Sequence, residues 1–219
     1  MKDLLSIVSH FQLTGTVQEI KPLGAGLIND TYKVTTLEAD APDYVLQRIN
    51  HAIFQDVEML QANINAVTTH IRRKLEEKGE GDIERKVLHF LPADNGKTYW
   101  FDGGNYWRVM TFIPNARTYE TVNPEYSYYA GAAFGNFQAM LADIPDRLGE
   151  TIPNFHNMEF RLKQLHDAVA ADVAGRVGKC GIFWMKLSVA PMKCARRNAC
   201  IVKTSCPSVF AIAIRKSTI

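Results

Sequence analysis

Acidic residues are missing from the last forty positions of this 219-residue chain. From Cys180 to Ile219 there is no Asp or Glu, while seven cations remain: Lys186, Lys193, Arg196, Arg197, Lys203, Arg215 and Lys216. Cysteine is missing from the opposite end: residues 1–179 hold none, and Cys180, Cys194, Cys200 and Cys206 all fall in the tail. A cysteine-free body offers no disulfide framework and no sign of secretion. The tail cysteines lie 14, 6 and 6 residues apart, without a CxxC pair and with no histidine after His166, so a closed zinc site is not expected. Long apolar runs are lacking too. No segment approaches the roughly 20 residues of a membrane helix. Met1-Lys2-Asp3-Leu4-Leu5-Ser6 has neither the apolar core nor the cleavage site of a signal peptide. A cytoplasmic protein with no membrane partner is expected.

The charge balance is an average of two unlike pieces. Lys and Arg total 25 against 23 Asp and Glu, but without the seven tail cations residues 1–179 carry 18 cations against the same 23 acids. Arg and Lys form no patch in that acidic body, so no nucleic-acid partner is expected. A hydrophobic content of 47% fits a globular chain, and the length suits one domain or two small ones.

Apolar periodicity supplies the elements. Leu4, Leu5, Val8 and Phe11 predict a short helix over 3–11. Strands are predicted at 15–21, 30–36 and 43–49, the first two joined by a loop holding Gly24, Gly26 and Asn29. Val57, Leu60, Ile64, Val67, Ile71 and Leu75 recur at steps of three and four, one stripe of a long helix that Gly79 and Gly81 end. Strands are predicted again at 86–91, 97–102 and 105–113, with turn signals at Asp94-Asn95-Gly96 and Asp102-Gly103-Gly104 that make them antiparallel. Helices over 123–142 and 156–175 follow. The expected class is α+β: a sheet lobe with one long helix over 1–114, the first helices of a helical lobe over 115–178, and a tail over 179–219.

The glycine loop lies between two strands, which excludes a dinucleotide fingerprint, whose glycines open a helix. A strand–glycine–strand flap is instead the device that covers nucleotide phosphates in kinases. Kinases place a phosphate-pairing cation two strands further on, where Arg48 stands in Tyr44-Val45-Leu46-Gln47-Arg48-Ile49. A period of two sets Leu46 and Arg48 on one face, with Gln47 at the alternate position. Glu58, near the start of the long helix, is the acid expected to pair with that cation. The strand Trp107–Ile113, ending at Pro114 and including Met110, occupies the place of a hinge beside an adenine.

As an ordered set, GAGLINDTYKV, YVLQRIN with HAIFQDVEML, WRVMTFIP and IPNFHN resemble the aminoglycoside phosphotransferase-like superfamily, and within it bacterial N-acetylhexosamine 1-kinases and mucin-desulfation relatives. The resemblance covers about residues 1–178. It implies a two-lobed kinase fold that uses ATP and Mg2+ to phosphorylate a small hydroxyl compound, here an amino sugar. It also implies nucleotide-side roles for Gly24, Gly26, Asn29, Arg48, Glu58 and Met110.

What the resemblance requires next is missing. The family carries an H-x-D-x-x-x-x-N loop and a second acidic segment for magnesium; here no His-x-Asp follows His166, and His166-Asp167 are adjacent inside a predicted helix. Regrouping the bases that encode the tail one nucleotide earlier is compatible with the pattern when codons are chosen freely. Phe183-Trp184-Met185-Lys186 must then contain Leu-Asp-Glu, because Trp and Met have single codons. The whole tail is compatible with an amphipathic charged helix followed by HCDxxxxN. An out-of-frame tail on a kinase fragment without turnover is therefore expected. The competing expectation is a natural short pseudokinase whose basic tail contacts an acidic partner.

Overall fold

The computed structural model describes residues 4–24, 28–116 and 123–181. Its elements run α1 (Leu4–Val8), β1 (Val17–Pro22), β2 (Asp30–Thr36), β3 (Tyr44–Ile49), α2 (Val57–Glu77), α3 (Ile83–Lys86), β4 (Trp100–Phe101), β5 (Tyr106–Thr111), α4 (Pro124–Leu141) and α5 (Met158–Ala171), then a 3-10 turn at Val177–Cys180. The five strands form one antiparallel sheet in the order β1-β2-β3-β5-β4. Helix α2 leaves the sheet after β3 and the chain returns to it at β4. This is the α+β arrangement of a kinase-like N-terminal lobe, followed by helices. The expected out-of-frame tail lies, from residue 182 on, outside the described residues.

The apolar stripe makes α2 the main core helix. Val57, Leu60, Ile64, Val67, Ile71 and Leu75 are all buried and cluster with Ile49, Phe54, Val87 and Leu141. Burying each such side chain stabilises by roughly 1.5–3 kcal/mol. Asp56 caps the N-terminus, its Oδ1 accepting from Met59 N at 2.8 Å. At the other end Gly79, at φ +65°, turns the chain so that Glu80 N reaches Leu75 O at 3.0 Å. The opposite face of the sheet packs Val34, Tyr44, Leu46, Trp107 and Val109 against Ile7, Val8 and Phe11 from the α1 segment.

Two expected strands shrink. Residues 86–91 begin as the end of α3 and then touch β5 only at the Phe90–Met110 bridge, with Leu91 N on Val109 O and Thr111 N on His89 O. The cause is division of the segment between two cores: Val87 packs into the α2 cluster and Leu91 into the α1 cluster, so the chain crosses the sheet end instead of lying along it. Of the segment 97–102 only Trp100 and Phe101 pair, because Ala93-Asp94-Asn95-Gly96-Lys97 closes a tight turn first, with Gly96 N on Ala93 O and Ala93 N on Lys97 O.

Helices α4 and α5 are capped by Asn123 and Asn157, whose side chains accept from Tyr126 N and Phe160 N. They bury far less than α2. Leu141 is the one buried residue of α4, and α5 has none.

Candidate functional site

Strand alternation sorts the β3 and β5 side chains onto the two sheet faces. Tyr44 and Leu46 of β3, with Trp107 and Val109 of β5, lie in the α1-side cluster; Ile49 and Tyr106 lie in the α2-side cluster. By the same parity Arg48 is on the α1 face, and Val45, Gln47, Arg108 and Met110 share the α2 face. The Cα register agrees, pairing Leu46 with Val109 and Gln47 with Arg108.

This corrects the expected arrangement around β3. Leu46, which shares a face with Arg48, is fully buried against the α1 side. Arg48 does not meet Glu58. Its Nη2 pairs with Asp30, its Nε donates to Asp30 Oδ2 at 2.6 Å, and its Nη1 donates to Asn105 Oδ1 at 3.2 Å. Glu58 is exposed and takes Lys97 Nζ at 2.8 Å. That carboxylate and the Tyr99 hydroxyl hold the Lys97 ammonium above its ordinary pKa. The physical reason is parity: the cation sits one residue off the position that points toward α2.

Gly24 has φ +69°, a left-handed conformation that glycine adopts without strain, with open space where a Cβ would stand. Gly26 lies outside the described residues. Asn29 ties the loop exit to the end of β3, its Oδ1 accepting from Asn50 N at 2.9 Å. Met110 is buried on β5, where the hinge was expected.

Sequence reasoning missed the polar cluster between the sheet and α2. Gln47, Gln61 and Arg108 are all buried. Arg108 donates from Nε and Nη2 to Gln47 Oε1 at 3.0 and 2.7 Å, and from Nη1 to Gln61 Oε1 at 3.2 Å. Gln47 Nε2 then donates to Thr31 Oγ1 at 3.0 Å, and Gln61 Nε2 to Thr98 O at 2.8 Å. The guanidinium also lies over the Phe90 ring, 5.3 Å from its centroid. Burial pushes the Arg108 pKa down to about 10. One signal was available in the sequence: a single cation inside the apolar run Trp107–Ile113. Kinases join β3 to the following helix by a Lys–Glu ion pair. Here the link is made by one arginine and two neutral amides.

Helix α2 also carries the contacts to the helical part. Asn63 and Gly149 exchange two hydrogen bonds, Asn63 Nδ2 to Gly149 O at 2.8 Å and Gly149 N to Asn63 Oδ1 at 2.9 Å. Lys74 Nζ donates to Met140 O at 3.0 Å and pairs with Asp143. His70 Nε2 faces two acceptors, Met140 O at 3.1 Å and Asp143 Oδ1 at 3.2 Å, while Arg73 Nη2 donates toward Nδ1. Nε2 therefore carries the proton.

Asp167 lies in α5 and is spent on Lys163, four residues earlier, at 2.7 Å. Among the described residues no group of three or more His, Cys, Asp or Glu could hold a metal ion. A cavity of about 520 Å³ between the β2–β3 turn and Phe112-Ile113-Pro114 is rimmed by Glu38, Asp43 and Glu84 against Arg85, a charge balance unsuited to phosphate.

The sheet order and the inserted helix define the class, a kinase-like N-terminal lobe followed by helices. The chain belongs to the phosphotransferase enzyme family, whose model matches residues 19–186.

Proposed function

We propose that this chain is the nucleotide-binding lobe and first helices of an ATP-dependent small-molecule phosphotransferase whose substrate is an amino sugar of the N-acetylhexosamine type. The observation that carries the reading is the buried link from β3 and β5 to α2 in a chain of the phosphotransferase family. In that class of enzyme the groups that organise nucleotide phosphates come from β3 and the helix that follows it. Gly24 and Asn29 lie at the two ends of the β1–β2 connection. The amino-sugar assignment rests on the resemblance of GAGLINDTYKV, WRVMTFIP and IPNFHN.

In this form the chain does not turn over. It has no His-x-Asp after His166, and Asp167 is held in a helix-surface pair, so among the described residues that segment supplies no carboxylate to orient an attacking hydroxyl. The acid-free tail is the product of a frame change near Lys179. A coupled assay on the 219-residue chain with N-acetylhexosamines and Mg·ATP is expected to show no sugar-dependent ADP release. Sustained release would overturn the inactivity. Sequencing the encoding DNA is expected to show an alternative frame that encodes HCDxxxxN and stays open far beyond the codon of Ile219. A stop early in that frame would remove the parent kinase from the reading.

A further inference from the structure

We propose that the cation facing the nucleotide phosphates in this lobe is Arg108 of β5 and not a residue of β3; the assignment rests on the nucleotide-binding reading above. Position is the first support. Arg108 is the Cα partner of Gln47, so its guanidinium emerges on the α2 face beside the β3 position from which kinases extend their lysine. Its Nη1 meets Gln61 on α2, the helix from which kinases supply the paired glutamate.

Charge is the second support. Of the four cations on the sheet, Lys21 pairs with Glu19, Lys33 with Asp43 and Arg48 with Asp30. Arg108 is 4% exposed, and among the described residues no carboxylate pairs with it. A guanidinium taken out of water with amide oxygens and the Phe90 ring around it lacks its counter-charge, and such a group is costly unless an anion completes it. Geometry is the third. Gln47 and Gln61 take three of the five N–H donors and fix the plane of the fork. They leave one N–H on each Nη nitrogen available to an anion. A carboxylate at position 47 or 61 would neutralise the fork internally; a glutamine holds it without neutralising it.

The test is calorimetric titration of the 219-residue chain with ATP and with adenosine, which lacks phosphate. Arg108→Met is expected to weaken ATP at least tenfold and to leave adenosine affinity at the wild-type value. Gln61→Glu supplies the missing carboxylate, so it is expected to raise the melting temperature of the free protein and to weaken ATP as well. A folded Arg108→Met variant that binds ATP like wild type overturns the assignment, and so does a loss that falls on Arg48→Met instead. If Arg108→Met does not fold, Gln61→Glu decides, and unchanged ATP affinity there overturns it. Wild-type protein that binds neither ATP nor adenosine would bring down the nucleotide reading and this assignment together. ATP binding retained in both variants would sink the assignment alone.

Discussion

At Ile64, 4% exposed in the middle of the α2 stripe, one side chain touches the core that fixes where the helix sits. Truncation to alanine removes buried methyl groups and leaves a cavity, so Ile64→Ala is expected to cost about 2–5 kcal/mol in urea denaturation. Leu37, 63% exposed, is the comparison: Leu37→Ala is expected to stay within about 0.5 kcal/mol. Equal losses at the two positions would contradict the burial pattern. The stripe containing Ile64 was legible because a helix repeats its apolar residues at three and four. The residues of the candidate site were not. Alternation puts Gln47 and Arg48 on opposite faces, but nothing in Tyr44–Ile49 says which face receives α2. The cation drew the assignment, and the amide holds the position.

At the scale of an element, α2 depends on how its ends are closed. Gly79 holds φ +65° with open space where a Cβ would stand, so Gly79→Ala meets no clash and isolates the backbone penalty. That penalty is expected at roughly 1–2 kcal/mol. Asp56→Ala removes the oxygen that accepts from Met59 N and is expected to cost about 1 kcal/mol. Chemical denaturation checks both, and a neutral Gly79→Ala would show that the left-handed residue is not needed to end the helix. Element boundaries show where local patterns lose authority. Asp30–Thr36 formed its strand over the expected range because both β1 and β3 pair with it. The segment 86–91 had equally good strand residues but two cores competing for Val87 and Leu91. Tertiary burial decided it, and no window of six residues contains that information.

Across the whole molecule, stability is unevenly spread along the chain. Helix α2 is anchored on the sheet side by its apolar stripe and Gln61, and on the other by Asn63, His70 and Lys74, whereas α5 buries no side chain. Hydrogen exchange is therefore expected to be slowest in the middle of α2 and β3 and fast throughout α5. Protection in α5 equal to that in α2 would refute this division. The seam between α2 and the end of α4 is also expected to respond to acid. Asp143 is held down to about 2, against an ordinary value of 3.8, chiefly by the hydrogen bond from the Lys74 ammonium, with His70 adding to it. A carboxyl whose pKa is lower in the folded state contributes stability that is complete above its unfolded value and disappears as pH falls through its folded one. The contribution of Asp143 is thus intact above about pH 4 and is lost between about pH 4 and 2. Asp143→Asn removes the titrating group, so its urea midpoint is expected to fall less steeply than that of the wild type across that window. Other lowered carboxyls, Asp43 and Glu84 among them, titrate in both proteins and cancel in the difference. Parallel acid profiles for the two proteins would mean that the Lys74–Asp143 pair does not hold α4 to α2, leaving Asn63 and Gly149 to carry the join.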